Sequence, residues 1–378
     1  MLSKYKYLDG FQLLGPLSYH SDSLYLQYSL KPIVFIVIMV GRYHEAHAHP
    51  NGPGDARPTA IQIVKDEDLE GKMTDKVIFV TGASSGIGIE TARAFHVTGA
   101  TVFIGVRDVK KGQEVADEIL SSDANNKAPI HVIEMSLDSL ASVRAAAAEF
   151  LTQSNKLNIL VLNAGVMNTP AGRTVDGFET QFGTNHIGHF LLFQLLKPTL
   201  LASSTPNFNS RVVSVSSVGH RWGPIRFHDY NFEEKDSYHP FTAYGQSKTA
   251  NIYLANYIDR HYGPKGLHAT SLHPGGILTA LQRHTPAEVL EPWKNQAGAQ
   301  SYLKSPEQGA ATSVYAAVSK EWEGKGGKYL VDCEVADPAK AVEIDVIGDD
   351  GYAEWAYNEE NEDKLWRDSC KFVGVEED

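Results

Sequence analysis

The sequence predicts a single α/β domain in which helices cover both faces of a doubly wound, mostly parallel sheet of seven strands. From Lys76 onward, short apolar and β-branched runs alternate with longer segments of helical periodicity. Hydrophobic residues make up 42% of the 378 residues, enough to bury a large core. The predicted strands are residues 77–81, 101–106, 131–135, 158–162, 211–216, 268–272 and 328–331. The predicted helices are residues 86–98, 109–121, 138–153, 175–203, 241–262 and 306–319.

The alternating pattern places this domain at residues 72–335, between an N-terminal extension and an acidic C-terminal tail at residues 336–378. The extension, residues 1–71, is expected to be poorly ordered, because the histidine-rich stretch 44–49 leads into a Pro- and Gly-containing segment typical of a flexible linker. Metal binding by these histidines is the less favoured interpretation, and no other metal site is expected. Within the tail, residues 363–368 could form a short docked helix.

An apolar run at residues 33–40 has about half of the ~20 residues that a bilayer span requires. Three interpretations are open. Residues 1–38 could be an artefact of start-site choice, with translation beginning at Met39. The run could instead be a weak membrane anchor, or it could dock on the domain as a strand or helix. A signal peptide is disfavoured, since no small-residue cleavage site follows the run. Of the three interpretations we favour the first.

Charge and cysteine content exclude several kinds of protein. The net charge is −12 and the chain has no dense Lys/Arg run, which argues against nucleic-acid binding because phosphate backbones are bound mainly by basic side chains. The two cysteines, Cys333 and Cys370, form no CxxC pair and are too few for a disulfide framework. We expect a reduced cytoplasmic protein, with peripheral or weak attachment to an intracellular membrane as the alternative. The sequence is compatible with a homo-oligomer.

A glycine-rich turn, TGASSGIG at residues 81–88, follows the first predicted strand and opens the first helix. Its first glycine allows a sharp turn, its second lets the backbone approach a pyrophosphate, and its third lets the helix pack close to the sheet. Free N–H groups at the start of that helix attract phosphate. In this context the turn predicts a Rossmann-type dinucleotide site. The residues expected to contact the cofactor here are Gly82, Ser84, Ser85, Gly86, Ile87 and Gly88.

The end of the second predicted strand favours NADP(H) over NAD as the cofactor. NAD enzymes place an acidic residue there for the ribose 2′-hydroxyl, whereas NADP enzymes place an arginine for the 2′-phosphate. This sequence has Arg107, whose planar guanidinium suits phosphate, followed by Asp108. We interpret Asp108 as the N-cap of the next helix. A solvated surface role for Arg107 is the alternative.

Tyr244 and Lys248 are candidate catalytic residues, because residues four apart share one face of a helix. A free tyrosine has a pKa of ~10 and is a poor acid or base near neutrality. A nearby ammonium favours the phenolate and is expected to lower that pKa. The spacing therefore predicts a phenol tuned for proton transfer.

Ser217 ends the fifth predicted strand, where its hydroxyl could donate to a substrate oxygen, while Ser216 is expected to point into the sheet. Asn185 interrupts an apolar helical pattern and could hold a water molecule. The neighbouring His186 and His189 are interpreted as packing or surface residues. The remaining residues expected to contact the cofactor follow the fourth and sixth strands and are Asn163, Ala164, Gly165, Pro274, Gly275 and Thr279. A structural role for Asn163 is at least as favoured as a binding role.

Taken together, these segments resemble the short-chain dehydrogenase/reductase family. The matching motifs, in the family's order, are TGASSGIG at 81–88, NAG at 163–165, Asn185, Ser217, YGQSK at 244–248 and PGGILT at 274–279. The stretches GVRD (105–108), NHIGHFLL (185–192) and RVVSVSS (211–217) are similar to the retinol-dehydrogenase and WW-domain-oxidoreductase-like branch. The resemblance implies a catalytic tetrad in which Tyr244 passes a proton and Ser217 positions the carbonyl. Lys248 would bind the nicotinamide ribose and Asn185 would hold a relay water.

Three features depart from the family pattern. Ser136, followed by Asp138, stands where many relatives have an adenine-contacting aspartate. The insert 219–241 is expected to help roof the pocket, as in the retinol-dehydrogenase-like branch. Residues 1–56 and 340–362 have no counterpart in the resemblance.

Residues 280–304 should cover the substrate, and their apolar candidates for lining the pocket are Leu281, Leu290, Trp293 and Tyr302.

The resemblance implies an NADP(H)-dependent oxidoreductase that transfers a hydride between nicotinamide and a carbonyl compound or an alcohol, here a small lipophilic one. The alternative is a non-catalytic NADP(H)-binding sensor that uses the same fold to bind a partner protein. Because the chain keeps both Tyr244 and Lys248, the enzyme is the favoured reading.

Overall fold

The computed structural model describes residues 41–123, 125–296, 298–341 and 348–377. Among these residues a single sheet of eight strands forms, in the order β3-β2-β1-β4-β5-β6-β7-β8. The strands are β1 Val77–Thr81, β2 Thr101–Val106, β3 Ile130–Glu134, β4 Ile159–Leu162, β5 Ser210–Val215, β6 Leu267–His273, β7 Tyr329–Val331 and β8 Glu334–Val335. The doubly wound α/β fold is thus confirmed, and every pairing up to β7 is parallel.

The predicted count of seven strands is wrong by one, because β8 follows β7 after a tight turn and pairs with it antiparallel. Asp332 and Cys333 form that turn with φ values of 54° and 61°. A strand of two residues carries no alternation that a sequence pattern can report. The order of the sheet reverses at β1 and β4, so a crevice opens where their carboxyl ends part.

The helices of the described residues cover both faces of the sheet. They are α1 His44–Ala48, α2 Ala60–Asp66, α3 Ile87–Val97, α4 Val109–Ser122, α5 Leu140–Gln153, α6 Thr180–Phe182, α7 Gly188–Ser203, α8 Pro240–Tyr262, α9 Ala287–Asn295, α10 Ala299–Tyr302, α11 Pro306–Gly309, α12 Ala311–Val318 and α13 Glu359–Val373. One core layer buries residues of α5, α7 and α8 against the sheet. The other buries residues of α2, α3, α4 and α12. No helix in the described ranges has the length and apolar character of a membrane span.

Two predicted helices differ from the structure. The segment predicted as 175–203 becomes helical only at Thr180, because the carboxylate of Glu179 caps the N–H groups of Gln181 and Phe182. A π-helix, Gly183–Ile187, then separates α6 from α7. The segment predicted as 306–319 is divided at Ala310 into α11 and α12. By contrast, Asp108 caps α4 as predicted, its carboxylate accepting the Lys111 N–H at 3.0 Å.

The predicted start of the domain at residue 72 needs correction. Helix α2 buries Ile63 and Val64 completely and packs against α12 and α3. The carboxylate of Glu67 accepts a 3.0 Å hydrogen bond from Ser319, and Arg57 is only 4% exposed. The flexible-linker interpretation is therefore wrong for residues 51–71. Their Pro and Gly content suggested flexibility, but contacts with residues distant in the sequence hold the segment on the domain. The predictions for residues 1–40 fall outside the described residues.

The C-terminal tail also packs on the domain. Helix α13 is longer than the docked helix considered at residues 363–368, and it buries Leu365 and Trp366 against α7 and α8. The Trp366 ring stacks on Tyr257 with a centroid separation of 3.8 Å and meets Phe190 edge-on at 5.0 Å. The tail is thus part of the core, despite its acidic composition.

Candidate active site

The glycine turn joins β1 to α3 at the crevice. Gly82 and Gly86 have φ values of 70° and 59°, a backbone conformation that favours glycine. A Cβ placed on Gly82 would lie 2.8 Å from the Ala164 Cα, and one on Gly88 would lie 2.7 Å from Asn163 Nδ2. Helix α3 begins after Gly86 with no side-chain cap, which leaves its first N–H groups to face the cleft. This is the geometry of an anion site.

Asn163 holds the ends of β1 and β4 together. Its Nδ2 donates to the Thr81 carbonyl at 2.8 Å, while the Thr81 hydroxyl accepts the N–H groups of Asn163 and Ala164. The buried Oδ1 of Asn163 has no hydrogen-bond partner among the described residues. The amide therefore has a structural role, and one buried acceptor of its side chain remains without a hydrogen bond among the described residues.

Arg107 lies exposed at the end of β2 on the wall of the cleft, with Lys111 beside it on the same wall. Ser136 and Asp138 line the cleft after β3, and the Ser136 hydroxyl donates to the Asp138 carboxylate at 2.5 Å. These residues place two cations and one hydrogen-bonded carboxylate on the cleft wall at the ends of β2 and β3.

Tyr244 is 2% exposed in the second turn of α8. A Cβ on Gly219 would lie 2.7 Å from its ring, so a glycine is needed there for the tyrosine to fit. Burial raises the pKa of Tyr244 to about 12, and a hydrogen bond with Ser217 opposes this rise. The Ser217 hydroxyl accepts the Gly219 N–H at 3.0 Å, which orients it. Ser216 turns away instead, and its hydroxyl donates to the Lys248 carbonyl at 2.7 Å.

Lys248 lies beside Tyr244, with its Nζ 5.5 Å from the centre of the phenol ring. The Nζ donates to the Val215 carbonyl at 3.0 Å, and burial lowers the pKa of the ammonium to about 7. The expectation that Lys248 lowers the pKa of Tyr244 is wrong when only the groups of the protein act on it, because that pKa is raised. Burial disfavours the charged form of each group and sets the direction of both pKa shifts.

Asn185 lies in the π-helix and is fully buried. Its Nδ2 donates to the Val166 carbonyl and to the Ser247 hydroxyl, both at 2.9 Å, and its Oδ1 accepts the Val166 N–H at 2.8 Å. Both amide hydrogens are therefore already engaged. The side chain fixes the loop after β4 against α8, beside Lys248.

The two histidines that follow Asn185 pack in the core, as predicted. His189 Nε2 shares a 2.8 Å hydrogen bond with the Thr81 hydroxyl, and His186 Nε2 shares one of 3.0 Å with Ser369. Burial lowers the pKa of each to about 3.

The loop after β6 crosses the glycine turn. A Cβ on Gly86 would lie 3.4 Å from the Thr279 methyl group, and Thr279 caps the turn Ala280–His284. Gly275 has a φ of 99°, and the alkyl chain of Lys304 covers it. Pro274, Gly275 and Thr279 thus line the cleft.

The predicted catalytic and cofactor-contacting residues line one cleft of about 1480 Å³, with two exceptions, Gly88 and Asn185, which are buried and do not line it. Trp222 and Phe241 from the insert line it as predicted, as do Leu281 and Tyr302. Leu290 does not line it, whereas the adjacent Val289 does, and the side chain of Trp293 lies outside the described part. The polar lining residues that the sequence prediction missed include Arg57, Lys304 and Asp350. No periodicity marks them, because each comes from a segment assigned to an extension, a lid or a tail.

A doubly wound sheet with a glycine turn, and a serine, tyrosine and lysine in the same cleft, defines a dinucleotide-dependent oxidoreductase. A family model described as short chain dehydrogenase matches residues 76–231. The chain is 49% identical over 337 residues to short-chain dehydrogenase/reductase prx1 of Penicillium roqueforti, covering 89% of this chain and 96% of that protein. The chain belongs to the short-chain dehydrogenase/reductase family.

Further comparisons place it in the retinol-dehydrogenase-like branch. It is 37% identical over 304 residues to retinol dehydrogenase 12 of Mus musculus, covering 80% of this chain and 87% of that protein. Among solved structures, an uncharacterized protein of Mycobacterium paratuberculosis matches with a TM-score of 0.60 and 30% identity, over 85% of this chain and 98% of the other. The RhlG/NADP complex of Pseudomonas aeruginosa shares the fold, with a TM-score of 0.56 and 24% identity over 69% of this chain and 96% of that chain.

Proposed function

We propose that the protein is an NADP(H)-dependent reductase or dehydrogenase of lipophilic carbonyl compounds and alcohols. The observation that carries this proposal is the placement of Tyr244, Ser217 and Lys248 on the cleft that the glycine turn opens. When bound, the nicotinamide supplies or accepts the hydride. A phenol that burial keeps protonated can donate its proton to a carbonyl oxygen during reduction.

The other residues of the tetrad orient this proton donor. Ser217, held by the Gly219 N–H, is placed to donate to the same carbonyl oxygen as negative charge develops on it. Lys248 Nζ, tied to Val215, would hold the hydroxyls of the nicotinamide ribose. Asn185 positions the loop after β4 through its bonds to Val166. Both amide hydrogens of Asn185 are taken, so its proposed part in a water relay would be to accept a hydrogen bond through its side-chain or backbone oxygen.

The substrate is proposed to be lipophilic, because the cleft wall near the phenol is largely apolar. Trp222 lies with its ring centre 5.9 Å from that of Tyr244, and Phe241 lies 4.6 Å from Trp222. Met167, Leu281 and Val289 line the same cleft. Such walls bind by excluding water rather than by specific hydrogen bonds.

NADP(H) is proposed over NAD(H) because Arg107 and Lys111 lie where a 2′-phosphate would bind, while Asp108 is engaged as a helix cap. We expect Arg107→Ala to raise the KM for NADPH by roughly 10- to 100-fold, because a charge-assisted hydrogen bond to the 2′-phosphate is lost. The KM for NADH, which has no 2′-phosphate, should stay nearly unchanged. Initial rates with each cofactor measure this. Equal changes for both cofactors would contradict the assignment. Lys110→Ala, an exposed residue in the first turn of α4 that does not line the cleft, is the control and should change neither KM.

The direction of the reaction should respond to pH through Tyr244. Oxidation of an alcohol needs the phenolate, which burial disfavours by raising the pKa to about 12. The kcat/KM for oxidation should therefore rise up to roughly tenfold per pH unit between pH 7 and 9, while that for reduction should not rise. Lys248→Arg, whose charge does not titrate in this range, should keep the slope. An oxidation rate that is independent of pH would contradict the role of Tyr244.

A panel of aliphatic and aromatic aldehydes and ketones, followed by NADPH absorbance, tests the proposal. We expect apolar members of the panel to be turned over faster than charged ones. The non-catalytic sensor would instead bind NADPH tightly and turn over no member, and the intact tyrosine and lysine in the cleft do not favour it.

A further inference from the structure

Arg57 lies outside the region that the family model matches, yet it is buried beside the candidate active site at 4% exposure. Its guanidinium donates to three consecutive carbonyls, those of Ser301, Tyr302 and Leu303, at 3.2, 2.9 and 2.7 Å. A further bond goes to the Gly52 carbonyl at 3.1 Å.

The three carbonyls belong to a segment that we call the stalk, residues 299–304, which comprises α10 and the two residues after it. The last carbonyls of a helix have no partner within that helix and need one elsewhere. Arg57 supplies these partners at the end of α10, where Leu303 already has extended backbone with a ψ of 143°. The stalk therefore leaves its helix along a path that the guanidinium fork specifies.

Arg57 is itself fixed by Asp55 and Gln308. The Asp55 carboxylate accepts from Arg57 Nε at 2.8 Å, and this bond, with others, lowers the pKa of Asp55 to about 2. The Gln308 amide, 1% exposed, donates to Asp55 Oδ1 at 2.9 Å and accepts the Gly54 N–H at 2.9 Å. The fork thus has a rigid support on both sides.

The stalk in turn reaches the catalytic cleft. Ala299, Tyr302 and Lys304 line the cleft, and the Lys304 N–H donates to the Gly276 carbonyl at 2.8 Å. The Lys304 ammonium binds Asp332 at 2.5 Å, while its alkyl chain covers Gly275. A displacement of the stalk would therefore move both the cleft wall and the loop after β6.

We propose that Arg57 is a positioning residue that fixes the stalk and so sets the shape of the substrate end of the cleft. The inference rests on the proposed function in one respect, since the stalk lines the cleft where the carbonyl substrate would bind. It assigns a role in substrate selection to the N-terminal segment 51–57, which precedes the Rossmann domain predicted from the sequence.

The test compares Arg57→Ala, Arg57→Lys and Arg211→Ala in the full chain. Arg211 is the matched control, since it is also 4% exposed and also donates to carbonyls, those of Ala317 and Ser319. It lies at the start of β5, whereas the cleft lies at the carboxyl ends of the strands. For Arg57→Ala we expect the KM for the carbonyl substrate to rise about tenfold or more, because charged hydrogen bonds to the stalk are lost. The kcat should change much less. Arg57→Lys should raise the KM less than Arg57→Ala does. Arg211→Ala should leave the KM unchanged while lowering the melting temperature.

Hydrogen exchange of residues 299–304 gives a readout that needs no turnover. Arg57→Ala should speed it, whereas Arg211→Ala should not. Should Arg57→Ala fail to fold, Arg57→Lys and Gln308→Leu carry the same comparison with smaller expected effects. The inference is overturned when folded Arg57 variants show wild-type exchange and wild-type KM, or when Arg211→Ala raises the KM equally. A wild-type protein inactive on every carbonyl would instead refute the proposed function, and the exchange experiment would still test whether Arg57 fixes the stalk.

Discussion

Replacing Tyr244 by Phe should reduce carbonyl turnover by roughly 10²- to 10⁴-fold, the usual contribution of a positioned acid or base. The phenylalanine ring can keep the contacts of the tyrosine with Gly219 and Trp222, so the cleft should keep its shape. What the variant loses is the hydroxyl that hydrogen-bonds with Ser217 and would protonate the carbonyl oxygen. Single-turnover and steady-state rates with NADPH, together with NADPH affinity by fluorescence, measure the effect.

Tyr253→Phe is the matched control for this substitution. Tyr253 lies in the same helix, is 1% exposed, and donates its hydroxyl to the Trp355 carbonyl at 2.7 Å, away from the cleft. It should affect stability more than turnover. If Tyr244→Phe retained most of the wild-type rate, proton transfer by the phenol would not be the mechanism.

Removing the Trp366 side chain should give the largest loss of stability. Trp366 is 2% exposed and packs on Tyr257, Phe190 and Phe193, which couples α13 to α7 and α8. Trp366→Ala should lower the free energy of unfolding by about 3–5 kcal/mol, the range for large aromatic side chains removed from a core. Chemical denaturation followed by circular dichroism measures this change.

Lys371→Ala provides the comparison on the exposed face of the same helix, where the Lys371 side chain is 75% exposed. Surface substitutions of this kind change stability by about 0.5 kcal/mol or less. If the two variants unfolded at the same denaturant concentration, α13 would not be part of the cooperative core.

Much of the sheet and the cleft could be predicted because their signals are local. Val77–Thr81 and Thr101–Val106 have the predicted bounds, since each is a continuous apolar run ended by a turn residue. The glycine turn was predictable because only glycine adopts the φ values found at Gly82 and Gly86 without strain. The spacing of Tyr244 and Lys248 predicted a shared helix face, and both side chains line the cleft.

The parts that could not be predicted depend on contacts distant in the sequence. Arg57 meets residues about 245 positions later, and nothing near it in the sequence indicates those partners. The π-helix at Gly183–Ile187 has no periodic signature in so short a stretch. Spacing also could not reveal how deeply the tyrosine and lysine are buried, and burial decides the direction of both pKa shifts.

The most direct test of the account is hydride transfer from NADPH deuterated at C4 of the nicotinamide. Wild-type protein is incubated with a lipophilic aldehyde or ketone and each C4 stereoisomer of the cofactor, and the product alcohol is analysed by mass spectrometry. The account predicts that one stereoisomer places a single deuterium on the former carbonyl carbon, and that Tyr244→Phe forms this product far more slowly. Folded protein that binds NADPH yet transfers no deuterium to any carbonyl tested would contradict it.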